Sequence, residues 1–254
     1  MVGFGERSST TSARSGGRQR GSKSGARGKS ANNRVAAGLH GSLLSELARL
    51  AEMGSVEREL RFRGFRLIAG TDEVGRGCLA GPVVAAAVIL DPEAAVLGVH
   101  DSKQLTPADR ATLCRLILGR ARAAAVGVVE PEAIDRWNIL QASKLAMRQA
   151  VENLTRRPEM LLLDAVFIET LHMPQLPLIH GDRRSVSIAA ASIVAKVYRD
   201  LLMESYHGLY PQYDFINNRG YGTETHMEAI RRHGLTPIHR RTFTKSPDSS
   251  SLFD

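Results

Sequence analysis

"AGTDEVGRGCLAGPVVAAAVIL", Ala69 to Leu90, holds two adjacent carboxylates, Asp72 and Glu73, then Gly75, Gly77 and Gly81, then an apolar run. "FRLIAGTD", from Phe65, and "VVAAAVIL", to Leu90, read as two strands joined through the glycine turn. Neighbouring carboxylates repel, so the pair costs stability unless a cation or solvent relieves it. Arg76 is the only basic residue in its immediate sequence. A dinucleotide-binding loop is excluded. The glycines run Gly75-x-Gly77-x-x-x-Gly81, and a strand pattern follows where a phosphate loop needs a helix N-terminus.

Further strands are expected at "AAAVGVV", Ala123 to Val129, at "MLLLD", Met160 to Asp164, and at "LPLIHGD", Leu176 to Asp182. Helical patterns lie between them. "TPADRATLCRLILGRA" opens with Thr106 as cap and Pro107 in the first turn. In "NILQASKLAMRQAVENL", Leu140, Met147, Val151 and Leu154 are expected on one buried face. In "SIAAASIVAKVYRDLLMESY", Ala189, Ile193, Val197 and Leu201 recur at steps of four. A hairpin followed by alternating strands and helices predicts an α/β fold, a mixed sheet with helices packed on it and a helical C-terminal part.

The chain has 254 residues, 43% of them hydrophobic, enough for one domain with a real core and a tail. Residues 1–34 carry eight Lys or Arg against one acid, so they hold +7 of the net +8. The high charge is therefore a property of the extension and does not itself make the body a nucleic-acid binder. Residues 1–40 are expected to be a disordered basic extension. A helical lead-in is expected over 41–64, the catalytic body over 65–245 and a flexible tail over 246–254. No run approaches the roughly 18 apolar residues of a membrane span, and the polar N-terminus has no signal-peptide core. Cys78 and Cys114 have no metal-type spacing, and thiols this sparse fit a reducing cytosol, although two could in principle pair. A cytoplasmic protein is expected.

Asp72 and Glu73 end the first strand, Asp164 ends another, and Asp182 follows the fifth just before a helix that Ser185 or Ser187 can cap. Side chains alternate along a strand, so one member of the adjacent pair must reach a shared site from a bend. Four acids at strand ends, with no Cys or His beside them, suit hard cations such as Mg²⁺ or Mn²⁺. Two such ions about 4 Å apart activate water at a phosphodiester. Lys103 in "DSKQL" and Lys196 in "VAKVYRD" are candidate phosphate ligands. Ser192, Lys196 and Arg199 share a helical face that points either at a duplex or at solvent. "HRRTF", His239 to Phe243, is a basic stretch that could grip a nucleic-acid backbone.

"GTDEVGRGCLAGPVVAAAVIL", "HDSKQLTP", "LLLDA", "HGDRRSVSIAAASIVAKVYRD" and "YPQYDFINNRGYGTETHMEAIRRHGLTPIHRRTF" closely resemble bacterial ribonuclease HII, a type 2 ribonuclease H, over Phe65 to Phe243. The resemblance implies an RNase H-like fold with a central mixed five-stranded sheet flanked by helices and a C-terminal helical segment. It implies Asp72, Glu73, Asp164 and Asp182 as the catalytic, metal-binding acids, with Asp182 the most variable in role. Gly75, Arg76 and Gly77 match the segment that contacts a ribonucleotide 2′-hydroxyl, and Tyr221 the ring that packs on the neighbouring deoxyribose. Implied with them are Mn²⁺ or Mg²⁺ and, as substrates, RNA–DNA hybrids and duplex DNA with embedded ribonucleotides. A monomer with no obligate protein partner is expected. Cys78 and Ala165 depart from the residues common at those positions.

Overall fold

The computed structural model describes residues 44–93, 96, 98, 99 and 105–244. The extension at 1–40, the tail at 246–254 and Lys103 lie outside the described residues.

Five strands form one sheet: β1 Ile68–Val74, β2 Val83–Leu90, β3 Ala121–Val129, β4 Met160–Asp164 and β5 Gln175–Leu178. Their order is β3-β2-β1-β4-β5. The β1–β2 and β2–β3 pairs are antiparallel, and β1–β4 and β4–β5 are parallel. This is the expected mixed sheet, with the hairpin first. β2 is apolar on both faces because all eight of its residues are buried. Pro177, which cannot donate to a ladder, sits on the edge strand β5.

The helices are α1 at 44–53, α2 Ser55–Phe62, α3 Pro107–Arg120, α4 Pro131–Glu152, α5 Gly181–Arg184, α6 Val186–Leu209, α7 Phe215–Asn218, α8 Glu224–His233 and α9 Arg241–Thr244. Thr106 caps α3 by accepting from the Asp109 N–H, with Pro107 at its start, as its sequence predicts. One core lies between the sheet and α4, where Ala85, Ala87 and Ile89 meet Ala146, Met147 and Ala150. The other lies between the sheet and α3 and α6, where Val84, Ala86 and Val88 meet Ile117, Ala190 and Ile193. A third cluster joins Met203 of α6 to Tyr213, Phe215 and Ile230. None of the described helices is long and apolar enough to cross a membrane.

Two expected faces need correction. Leu140 is exposed, unlike Met147 and Val151. Asn138 breaks α4 with φ 71° and caps the second segment by accepting from the Leu140 and Gln141 N–H groups, so Leu140 lies in an outer first turn. On α6, Ala189 and Ile193 are buried but Leu201 is exposed. Steps of four drift by about 40° each, so Leu201 lies about 120° round the helix from Ala189, on an exposed side, whereas the same drift carries the next row under the C-terminal cluster. The row Ala191, Ala195, Arg199, Met203 is buried throughout.

The start of α6 lies directly on the sheet. A Cβ on Gly70 of β1 would collide with the Ser187 and Ile188 backbone, so only a bare strand lets the helix approach. Ser185 caps α6, accepting from the Ile188 N–H at 3.1 Å. Buried Glu57 of α2 accepts from the Ser185 hydroxyl at 2.6 Å and the Ser187 N–H at 3.0 Å. This seating carries Ser192, two turns on, to the end of β1.

Candidate active site

The C-terminal ends of β1, β4 and β5 share one sheet edge, as parallel pairing requires. The β1–β4 ladder closes at Thr71–Leu163, so Asp72 and Asp164 are the next residues along on adjacent strands. Asp72 Oδ1 accepts from the Glu73 N–H at 2.8 Å, and the Ser192 hydroxyl also bonds its carboxylate. Burial, then the negative charges of Glu73 and Asp164, push the Asp72 carboxyl up to about 8. Burial likewise raises Glu73, and Arg76 opposes that shift. Arg76 holds Glu73 Oε1 at 3.0 Å; the Glu73 side chain is nearly buried and Arg76 is half exposed. Asp164 Oδ1 accepts from the Gly181 N–H at 2.8 Å. Asp182 precedes the Ser185-capped α6, as its sequence predicts, and stands beside that glycine in the first turn of the short α5.

Asp72, Glu73 and Asp164 thus each have a hydrogen-bonding partner, Ser192, Arg76 and the Gly181 amide, and only Arg76 brings opposite charge. Among the described residues, no three acidic, His or Cys side chains converge into a closed metal cluster as they lie. The donor set still fits a hard divalent cation. It is all oxygen and largely buried, and burial together with mutual repulsion raises the Asp72 carboxyl to about 8, a conflict that a cation would relieve. Arg76 supplies the positive charge on Glu73 in this arrangement.

The loop from Gly75 to Pro82 leaves the acids and is gripped from below by two fully buried arginines. Arg199 donates to the Pro82, Ala80 and Arg219 carbonyls at 3.0, 3.1 and 2.9 Å. Arg240 donates to the Gly81 carbonyl through Nε and Nη2, at 3.0 and 2.8 Å, and to the Arg76 carbonyl at 2.9 Å. Gly75 has φ +92°, and a Cβ there would strike the Arg199 guanidinium, so this turn over the arginine needs glycine. Around Gly77 there is open space. The loop also docks on the segment that carries Tyr221. Leu79 N–H donates to the Gly220 carbonyl at 2.8 Å and Gly81 N–H to Ile238 at 2.8 Å. The Tyr221 hydroxyl bonds the buried Cys78, while 43% of the residue stays exposed. One loop therefore runs from the acid pair, past Arg76 and Gly77, to the Tyr221 ring.

Several sequence expectations change here. The Ser192–Lys196–Arg199 face points neither at solvent nor outward as a unit: Ser192 serves Asp72, and Arg199 is buried under the loop. Lys196 is paired with Asp200 at 2.7 Å and is mostly covered. In "HRRTF", His239 and Arg240 are buried, and Arg240 grips this chain's own backbone in place of a nucleic acid's; Arg241 stays exposed. Such buried arginines carry no single-residue signal. Arg199 was nevertheless readable as the third member of the row that begins Ala191, Ala195 and ends at Met203.

A family model described as Ribonuclease HII matches residues 69–246. The chain belongs to the ribonuclease HII family. It is 55% identical to a ribonuclease HII of Lactobacillus delbrueckii subsp. bulgaricus over 190 residues, 75% of this chain and 73% of that protein. The ribonuclease H2 of Pyrococcus horikoshii OT3 superposes with TM-score 0.61 at 26% identity, over 74% of this chain and 97% of that one. Bst-RNase HIII, solved in complex with Mn²⁺, shares the fold with TM-score 0.57 at 23% identity, over 71% of this chain and 68% of that one. The ribonuclease HII match covers the sheet from Ala69 onward, Asp72, Glu73, Asp164 and Asp182, and the Tyr221 segment.

Proposed function

We propose that this chain is a divalent-cation-dependent endoribonuclease that hydrolyses the RNA strand of RNA–DNA hybrids and cuts 5′ to ribonucleotides embedded in duplex DNA. It leaves 3′-hydroxyl and 5′-phosphate ends and so serves ribonucleotide removal from DNA. The observation that carries this reading is the continuity of one loop between a repelling acid pair and an exposed aromatic ring. RNA differs from DNA at a single nucleotide by its 2′-hydroxyl. A site that cuts only there must join a sugar-reading surface to a phosphodiester-cleaving one.

Asp72, Glu73 and Asp164 would hold Mg²⁺ or Mn²⁺, with Asp182 assisting from α5. Such ions activate water and stabilise the leaving oxygen at a phosphodiester. The chain's own residues do the rest. Ser192 and the Gly181 amide orient two of the carboxylates. The backbone at Gly75, Arg76 and Gly77 lies against the 2′-hydroxyl, where no side chain at Gly77 blocks the ribose. Tyr221 stacks on the adjacent deoxyribose and excludes a second 2′-hydroxyl by shape. Lys196, released from Asp200, and Lys103 neutralise phosphates. The basic extension, residues 1–40, adds polyanion affinity outside the catalytic body at 65–245. The chain works in the cytoplasm as a monomer, with no obligate protein partner.

The test is cleavage of a duplex with one embedded ribonucleotide beside an all-DNA control, in Mg²⁺, in Mn²⁺ and in chelator. Cleavage at the ribonucleotide only, abolished by chelator, is expected. Cutting of the all-DNA duplex would make the chain a general metal nuclease, and binding without cutting would make it a non-catalytic binder.

A further inference from the structure

Beneath Tyr221 lie two buried histidines that the reaction does not use. His226 of α8 and His239 are 0% and 2% exposed, and their Nε2 atoms face each other at 3.1 Å. They pack against Tyr213 and Phe215, with the His226 ring edge-on to Phe215 and the His239 ring 5.0 Å from Tyr213.

The proton positions along this pair are fixed by its two ends. The Thr236 hydroxyl, 2.8 Å from His239 Nδ1, can donate or accept, but the Thr236 N–H, aimed at the same nitrogen from 2.9 Å, can only donate and so makes Nδ1 an acceptor. A neutral His239 then carries its proton on Nε2 and gives it to His226 Nε2. His226 in turn must carry its proton on Nδ1, which lies 2.9 Å from the Tyr221 carbonyl. Every bond runs one way, from Thr236 through both rings to Tyr221. Burial lowers both histidines, His239 to about 4, which agrees with a neutral pair.

We propose that His226 and His239 are positioning residues, a directed hydrogen-bond chain that fixes the Tyr221 backbone and so holds its ring against the Gly75–Pro82 loop at Cys78. This rests on the reading of Tyr221 as the sugar-contacting ring. Tyr221 lies between Gly220 and Gly222, whose backbones are the least restrained of any residue. Its carbonyl receives the Thr223 N–H at 2.8 Å and the His226 ring, and its N–H goes to the Asn218 carbonyl at 2.9 Å. Leucine would fill the volume of an imidazole but deliver no N–H to that carbonyl. Asparagine would, because its Nδ2 occupies the place of Nδ1.

The experiment measures kcat/KM on a single-ribonucleotide duplex and on a long RNA–DNA hybrid, and follows the ratio of the two. His226→Leu is expected to lower the ratio about tenfold, within what one aromatic ring stacked on a nucleotide contributes. His226→Asn restores most of it. In a Tyr221→Ala background, His226→Leu changes the ratio no further. Melting curves identify any variant that is not folded, and nitrogen-resolved NMR of the wild-type protein reads the tautomers directly, so the chain can be decided without His226→Leu. The expected tautomers are His239 protonated on Nε2 and His226 on Nδ1. Other tautomers, an unchanged ratio in a folded His226→Leu, or an equal fall in both backgrounds would overturn the proposal. If Tyr221→Ala alone leaves the ratio unchanged, the sugar-contact reading of Tyr221 is what fails, and the hydrogen-bond chain is still judged by the tautomers.

Discussion

Asp72 carries the sharpest electrostatic conflict in the molecule. Its carboxyl is driven up to about 8 by burial beside two other acids. Asp72→Asn removes that conflict at nearly constant volume, so the metal-free protein is expected to melt no lower than wild type. Cleavage should nevertheless vanish, because the charge that would draw in the cation is gone. Asp164→Asn should do the same to activity, although its carbonyl can still accept from Gly181. Asp182→Asn should be milder, since Asp182 sits in a helical turn outside the strand ladder. Cleavage assays on the three purified variants, with melting curves, check the ranking. Full activity in Asp164→Asn would remove that residue from the site.

The loop between β1 and β2 is held by the elements that follow it by more than a hundred residues. Arg199→Met should cost about 3 kcal/mol, because it removes a charged donor from three carbonyls and leaves those of Ala80 and Pro82 buried without it. Urea unfolding would show it, and activity should fall further than stability alone explains, since the loop positions Gly75 to Gly77. A loss below about 0.5 kcal/mol, the bottom of the range for one hydrogen bond, would mean the carbonyls find other partners. The α8 region adds a pH dependence. His239 falls from an unfolded value near 6.5 to about 4 in the fold. The unfolded chain therefore binds the extra proton first, and stability rises with pH through this window. The His239 contribution, on the order of 1–3 kcal/mol, should be complete above about pH 7 and lost as pH falls toward 4. His239→Asn should flatten that part of the stability profile in urea titrations. The strands, the capped helices and the strand-end acids were all legible in the sequence, because alternation, Thr106–Pro107 and the Asp72–Glu73 pair are local signals. The arginine grips and the histidine chain were not. They join residues as far apart as Arg76 and Arg240, and their buried polarity looks in sequence like surface charge. Leu140 and Leu201 misled for a related reason: helical spacing tells which residues share a stripe, and tertiary packing decides where the stripe ends.

Across the chain, charge and catalysis are separated. The extension at residues 1–34 holds +7 of the net +8, while the remaining 220 residues balance 26 basic against 25 acidic side chains. Within the body, many cations are already committed: Arg199 and Arg240 to carbonyls, Arg76 to Glu73, Lys196 to Asp200. Removing residues 1–34 should leave kcat near wild type, because every acid and the Tyr221 loop lie beyond it. Binding should weaken and become less sensitive to salt. Each phosphate neutralised contributes about 0.9 to the slope of log affinity against log salt on a B-form duplex, so a tail that touches two or three phosphates should flatten it by roughly 2 to 3. Affinities of the full and shortened chains for one ribonucleotide-containing duplex, measured across a salt series, make the comparison. An unchanged slope would show that the extension never reaches the nucleic acid, and that the phosphate contacts are made by the body alone.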